Sequence, residues 1–414
     1  MVYPSINGFK KKGGYTMNNP LNYSKTKLNE IFANVKVLYE DNVEEVIRKY
    51  VVNGLKELLE DAMKAEVMGY LKAKRYQHKK KRVDYRNGYR YRNLLTAFGL
   101  VRNLMVPRTR KKGGYRPGVF VRYKRRWQEV DKWLREIFIA GVSTRDVGWV
   151  MKVLLEKTVS ASTVSSVSKA LDKQVAVFRR RLLNDDYVYL FLDGITQKVR
   201  SCGRVVKKLV LVAYGIRLDG KREVIDFRVA KSESERDWTV FLRSLYQHGL
   251  KGGSLKLIIT DGAPGLLAAL DMIYPDIDRQ RCWVHKLRNV ANKLPRRYQA
   301  ECLRGARGIY SASSYREAVK CFKTWCQKWR DKVPKAVHCL EKDIEELLAF
   351  YKQDKKLWSK LRTTNAIERL FRELRKRTRP MTQFADVDSC TRIVYSLISK
   401  YNQKWKDRRY VVFK

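Results

Sequence analysis

The sequence predicts a multidomain α/β protein, with an α/β core interrupted by an all-helical insertion and preceded by a mostly helical, basic region. Three observations predict it. Between residues 187 and 290, apolar runs of strand length alternate with amphipathic stretches of helical period. Residues 291–360 then break that alternation, being rich in Ala, Leu, Glu and Lys and poor in strand formers. Across all 414 residues there are 89 Lys and Arg against 42 Asp and Glu, a net charge of +47. A fold carrying that imbalance needs a polyanion, and nucleic acid is the first candidate. Hydrophobic residues make up 44% of the chain, enough for a core, which excludes wholesale disorder.

The elements follow in order. Residues 1–16 are expected as a disordered tail, with Met17 an alternative start, and residues 17–71 as a helical region. Within it, Ile47, Tyr50, Val51, Leu55, Leu58 and Leu59 recur at three- and four-residue steps, giving an apolar face for dimerisation or for packing in the same chain. Residues 72–183 are expected to bind DNA. They open with KAKRYQHKKKRVDYRNGYRYR, where Lys79, Lys80, Lys81, Arg82, Arg86 and Arg90 interleave with tyrosines. Cations neutralise phosphates, and rings stack or pack. A short β-hairpin is expected over residues 93–108, turning at Phe98-Gly99. Residues 142–173 read as a helix-turn-helix: Ser143 caps the first helix, and a second starts near Ser160 or Ser162 with Val164, Val167 and Leu171 inward. Ser165, Ser166, Ser168 and Lys169 are left outward as a polar reading face.

From residue 184 to 290 the order changes to β-β-β-α-β-α-β-α, beginning with a meander of YVYLFLDG, KKLVLVAYGIRLDG and KREVIDFRVA. That order is the one a ribonuclease H-like domain shows. After the helical stretch, residues 361–414 supply two C-terminal helices that complete the core, the first at 363–379 and the second at about 386–405.

Asp193 and Asp261 each close an apolar strand run. Carboxylates at the ends of neighbouring strands can share hard divalent cations such as Mg²⁺. Taken singly, each is more readily an Asp-Gly turn residue than a ligand; together, in this strand order and on so basic a chain, they favour the metal. Glu368 is the best third carboxylate. It lies in the first turn of a helix whose buried stripe is Ile367, Leu370, Phe371 and Leu374, and whose other side carries Arg369, Arg372 and Lys376 toward a phosphate backbone. Spacing alone leaves open a second role, since Asn365-x-x-Glu368 also fits a helix capping box. Glu373 is the nearest rival and suits a surface ion pair. Cys282-x-x-His285 invites a zinc reading, but no second pair stands nearby at zinc spacing, which favours a structural role. Trp238 and Trp358 are expected to pack.

The segments YRNGYR (85–90), RPGVF (116–120), GVSTRDV (141–147), the LDG of Asp193, SESERDWTVFLRSLYQHGL (232–250), TDGAPGL (260–266), RCWVHKLRNV (281–290) and RTTNAIERLFRELRKRTR (362–379) resemble the bacterial Mutator-type insertion-sequence transposases. The resemblance runs from about residue 43 to the C-terminus. It implies an Asp-Asp-Glu triad on a ribonuclease H-like core, at Asp193, Asp261 and Glu368, with a helical insertion before the Glu. The longer gap between Asp261 and Glu368 suits that insertion. It implies DNA cleavage and strand transfer with two Mg²⁺ ions, Mn²⁺ being able to substitute, on terminal inverted repeats and target DNA, by a homodimer or higher oligomer. The alternative is a helix-turn-helix regulator derived from a transposase and lacking catalysis. One departure is PMTQFAD (380–386), where many members carry a Gly-Ile-Phe-Pro-Asn-like turn. The longest apolar run, LVLVAYGI, is far shorter than the roughly 20 residues of a membrane span. Seven scattered Cys suggest a reducing cytosol, so a cytoplasmic, nucleoid-associated protein is expected.

Overall fold

The computed structural model describes residues 43–111, 113–118, 125–140 and 142–413. The expected tail at 1–16, the alternative start at Met17 and the helical reading of 17–42 lie outside the described residues. The chain divides into two compact units, one ending at Lys132 and taking in Met151–Thr158, the other comprising Trp133–Val150 and Val159–Lys414.

In the first unit a long helix α1 (Val43–Leu71) packs on an antiparallel hairpin of β1 (Arg86–Thr96) and β2 (Gly99–Thr109). The core is Leu59 and Met63 of the helix against Leu94, Val101, Leu104 and Val106 of the hairpin. Leu59, Met63, Val67 and Leu71, at four-residue steps, form the buried line, while Ile47, Val51 and Leu58 of the expected stripe are exposed. The stripe therefore lies further along the helix than the first apolar spacing suggests, because the hairpin meets the helix there: Glu60 accepts a hydrogen bond from the Met105 amide. The turn falls at Ala97-Phe98, and the Thr96 hydroxyl donates to the Gly99 carbonyl and accepts from the Phe98 amide. The hairpin also begins earlier than expected, at Arg86. Its first arm is written in Arg, Tyr and Asn, so it carries no apolar alternation to announce it.

Helices α2 (Gln128–Ala140) and α3 (Thr144–Leu155) precede α4 (Ala161–Lys169) and α5 (Leu171–Arg180). The Ser143 hydroxyl accepts from the Asp146 amide at the start of α3, and Ser160 accepts from the Thr163 amide at the start of α4. Val164 and Val167 are buried and Ser165, Ser166 and Lys169 exposed. Two details differ from expectation. Ser168 is buried, its hydroxyl donating to the Ser165 carbonyl. Leu171 is buried as expected, but it lies on α5 and not on α4, because α4 ends at Ala170 and α5 starts anew.

The second unit is built on a mixed five-stranded sheet of order β5-β4-β3-β6-β7. Strands β3 (Tyr187–Ser201), β4 (Arg204–Arg217) and β5 (Arg222–Ala230) form the antiparallel meander, and β6 (Leu257–Thr260) and β7 (Arg279–Arg281) add on parallel to β3. Helices α6 (Glu235–Gln247) and α7 (Pro264–Ile273) cover one side, burying Trp238, Phe241, Leu266 and Leu270 against Leu190, Leu192 and Leu211. Ser234 caps α6 by accepting from the Asp237 amide, and Gly249 beyond its end takes a φ of +119°, where a side chain would strike the Leu183 carbonyl. Helix α8 (Trp283–Ala291) leaves the sheet, followed by α9 (Arg296–Ser311), α10 (Tyr315–Trp329), α11 (Pro334–Glu341), α12 (Ile344–Leu348) and α13 (Trp358–Leu361). Trp358 packs there, donating to the Gln353 carbonyl and meeting Tyr351 edge-on. Helices α14 (Asn365–Thr378) and α15 (Val387–Trp405) close the chain.

One expectation is corrected. Asp193 does not end its strand, because β3 runs on to Ser201 as one arm of a ribbon with β4. What ends beside Asp193 is the parallel pairing with β6, whose last pair is Leu192 with Thr260. The departing segment PMTQFAD also finds a place: the Phe384 amide donates to the Lys198 carbonyl, the Arg200 amide donates to the Phe384 carbonyl, and the ring is buried.

Candidate active site

The next positions after the Leu192–Thr260 pair are Asp193 and Asp261, so two carboxylates leave neighbouring strands at one register. Adjacent strands lie about 5 Å apart, which sets the scale of their separation. The backbone around them is fixed by small residues. A Cβ at Gly194 would lie 3.1 Å from Leu209, and Gly262 holds a φ of +87° against the Arg281 side chain. Asp193 accepts from the Gly194 amide and Asp261 from the Ala263 amide.

Asp193 is almost wholly buried, at 7% exposure. Burial pushes its carboxyl up, and Asp261 pushes further, to about 7, against the opposing Gly194 amide, with His285 and Glu368 also acting on it. The fold thus holds Asp193, Asp261, Glu368 and His285 in electrostatic reach of one another. Two carboxyls that feel each other's charge, with a third in reach of the first, are oxygen donors of the kind a hard divalent cation takes. Among the described residues, no three His, Cys, Asp or Glu already stand at metal-ligand spacing.

Glu368 reaches the site from α14. Thr364 is that helix's N-cap and makes no side-chain capping bond; Asn365 is already helical, so the Asn365–Glu368 capping box is not formed. The Glu368 amide donates to the Thr364 carbonyl instead. Ile367, Leu370, Phe371 and Leu374 are buried, which turns the half-buried Glu368 to within 3.9 Å of the His285 imidazole. Glu373 pairs with Lys376 on the surface.

Cys282 and His285 flank this helix start. Cys282 is buried, and its sulfur accepts from both the amide and the hydroxyl of Thr364, each at 3.4 Å. The Trp283 amide donates to the Arg362 carbonyl. The end of β7 is thereby tied to the helix that carries Glu368. The Cys282 hydrogen bond raises His285 to about 9 against the effect of burial, with Asp193 and Asp261 adding to it. Burial raises the Cys282 thiol, but hydrogen bonding by His285 and Thr364 outweighs it and leaves the thiol below its ordinary value.

Sequence reasoning passes over two neighbours. Glu233, exposed just before α6, has its carboxyl raised first by partial desolvation and then by Asp261. Arg281 packs on Gly262 and pairs with Asp343 and Glu346. Glu233 carries no strand-end signal, and Arg281 looks like one more cation on a basic chain.

Of the candidate DNA contacts in the first unit, Lys79, Lys80, Lys81 and Arg90 are exposed. Arg82 donates to the Asp84 carbonyl and lies over Tyr85, and Arg86 donates to the Ala73 and Lys74 carbonyls. In the second unit Ser165, Ser166, Lys169, Arg369, Arg372 and Lys376 are not buried.

The model of the Mutator family of transposases matches residues 25–408. The chain is 34% identical over 372 residues to the transposase for insertion sequence element ISRM5 of Rhizobium meliloti, covering 90% of each protein. It is 37% identical to the transposase for IS406 of Burkholderia multivorans, over 85% of this chain and 90% of that one. It is 32% identical to the transposase for IS256 in transposon Tn4001 of Staphylococcus aureus, over 94% of this chain and 97% of that one.

Proposed function

This chain belongs to the Mutator family of transposases, and on that premise we propose that it cuts and joins DNA at the ends of an insertion sequence, through Asp193, Asp261 and Glu368. The single observation that supports this most is the position of Asp193 and Asp261 directly after the last β3–β6 pair, Leu192 with Thr260, with Glu368 within electrostatic reach of Asp193. The second unit is read as a ribonuclease H-like core interrupted over 291–360 by a helical insertion and completed by 361–414. Residues 72–183, with the α3–α4 pair as a helix-turn-helix, are read as recognising the terminal inverted repeats. Two ends must be brought together, so the active form is at least a dimer, working at the bacterial nucleoid.

Asp193, Asp261 and Glu368 would hold two Mg²⁺ or Mn²⁺ ions. Such ions supply activation of water or of a 3′-hydroxyl and stabilisation of charge at phosphorus. The chain's own residues do the rest. Buried Asp193 and half-buried Asp261, one within the sheet and one just past the end of β6, present carboxylate oxygens from a rigid frame, so their geometry costs little reorganisation. Glu368 enters from a separate helix, anchored through Thr364 to Cys282. Arg369, Arg372 and Lys376 follow it along α14 and orient the phosphodiester backbone by charge and by hydrogen bonds, bidentate from the arginines. No Tyr or Ser nucleophile and no covalent protein–DNA link is involved. Incubating the full chain with a labelled inverted-repeat duplex and a target plasmid tests this. Nicked ends and joined products should form with Mg²⁺ and vanish with a chelator. Duplex binding with no cleavage under any divalent ion would instead make the chain a regulator derived from a transposase.

A further inference from the structure

The second unit has a cavity of about 670 Å³ whose lining shares no residue with the carboxylate cluster. It lies among helix α5, the edge strand β5, the end of α6 and the start of α15. Its charged lining is Arg179 and Arg180 of α5, Arg228 of β5 and His248 at the end of α6, together with Asp172 and Asp388. Asp172 is already held by Arg392 at 3.0 Å. Asp388 has no cationic partner among the described residues. Arg179, Arg180 and Arg228 likewise make no side-chain hydrogen bond or ion pair to a described residue. The Arg179 Nε is moreover buried with no hydrogen-bond partner.

Three guanidiniums stand round one opening with no hydrogen bond or ion pair of their own, the buried Asp226 carboxyl acting on Arg179 only through its field, so they are short of oxygens. Buried donors are ordinarily satisfied, so an unpartnered one marks a place where an acceptor is expected to arrive. Guanidinium forks match phosphate oxygens in planarity and spacing. Strand β5 is two places from β3 in the sheet, so roughly 10 Å or more separates this cleft from Asp193. A phosphate seated here is therefore not one being cut.

We propose that this cleft is a second phosphate site, gripping the backbone of a DNA duplex away from the scissile bond. The inference rests on the DNA reading above. The Arg179, Arg180 and Arg228 guanidiniums take the phosphate oxygens, and Asp388 at the rim opposes them.

The test uses the full chain, with R179Q/R180Q/R228Q and D388N as variants. Duplex binding is followed by anisotropy across a range of salt, and folding by thermal melting. Each phosphate neutralised contributes about 0.9 to the slope of log affinity against log salt, so the triple variant, which empties one phosphate seat, should lose roughly 1 from that slope. D388N should bind the duplex more tightly than the parent. A triple variant that melts like the parent and keeps its slope overturns the proposal. If the triple variant does not fold, D388N decides, and unchanged duplex affinity overturns it. Inorganic phosphate, titrated at constant ionic strength, separates the two sources of this chemistry. Phosphate binding that the triple variant loses, with duplex binding unaltered, would make the cleft a small-anion site and overturn the DNA assignment. A parent that binds no duplex at all would instead remove the functional reading itself.

Discussion

At the scale of single residues, this chain keeps several titratable groups where water cannot reach them, and each has a different consequence. Asp226, in β5, is 4% exposed, and burial raises it to about 6 despite the Phe227 amide and the nearby Arg179, Arg181 and His248. A carboxyl raised in the fold favours the protonated form. The stability it contributes is complete below about pH 4 and is lost as pH rises through about 6. A carboxyl moved from its ordinary value near 4 to about 6 costs the fold about 3 kcal/mol once it is ionised. Asp226→Asn should therefore raise the melting temperature at pH 8 and leave it unchanged near pH 4; equal effects at both would contradict the assignment. Cys282 and His285 lead to a different expectation. The sulfur is already engaged by Thr364, and among the described residues no third or fourth ligand joins the pair. Elemental analysis of the purified chain should find no stoichiometric zinc. About one zinc per chain, lost in His285→Ala, would replace the structural role with a metal site.

At the scale of elements, what can be read from the sequence follows what each segment buries. The meander strands and β6 bury both faces and so stand out as continuous apolar runs around Phe191, Val212 and Ile259. Helix α14 shows its stripe as plainly, at Ile367, Leu370, Phe371 and Leu374. The far arm of β3 is hidden, because only Ile195, Gln197 and Val199 turn inward there and the residues between are exposed. That is why Asp193 reads as a strand end in the sequence and lies mid-strand in the fold. The register of β3 on β6, which brings Asp193 beside Asp261, depends on pairing between segments far apart in the chain, and no local pattern encodes it. The capping box of Asn365 and Glu368 illustrates the opposite error, a local pattern that tertiary contacts override. Arg377 is equally hidden, one cation among many on α14. It is buried, it donates to the Phe138 and Ile139 carbonyls near the end of α2, and burial pulls its pKa down to about 10. Arg377→Met would leave those carbonyls without their donor, at a cost of about 1–3 kcal/mol. A lower melting temperature, with the surface variant Arg375→Met near the parent, is the expected result. Equal melting of both variants and the parent would show that the buried bonds contribute nothing.

At the scale of the whole molecule, a net charge of +47 and a carboxylate cluster belong to one design. On the proposed reading, the charge draws in a polyanion over long range, and the cluster is where a phosphate is attacked. No helix among the described residues is long and apolar enough to cross a membrane. The central claim is that Asp193, Asp261 and Glu368 act together on DNA. Asp193→Asn and Asp261→Asn should each abolish cleavage and leave end binding intact. The most direct measurement, though, compares strand transfer by Glu368→Gln and Glu373→Gln in the full chain with Mg²⁺. Both changes remove one charge from the same helix and nearly preserve shape. Loss of more than about a hundredfold in Glu368→Gln is expected, the scale seen when a preorganised group at a developing charge is removed. Glu373→Gln, which gives up an ion pair with surface Lys376, should transfer strands like the parent. Robust strand transfer by Glu368→Gln would contradict the account and send the search for the third carboxylate elsewhere.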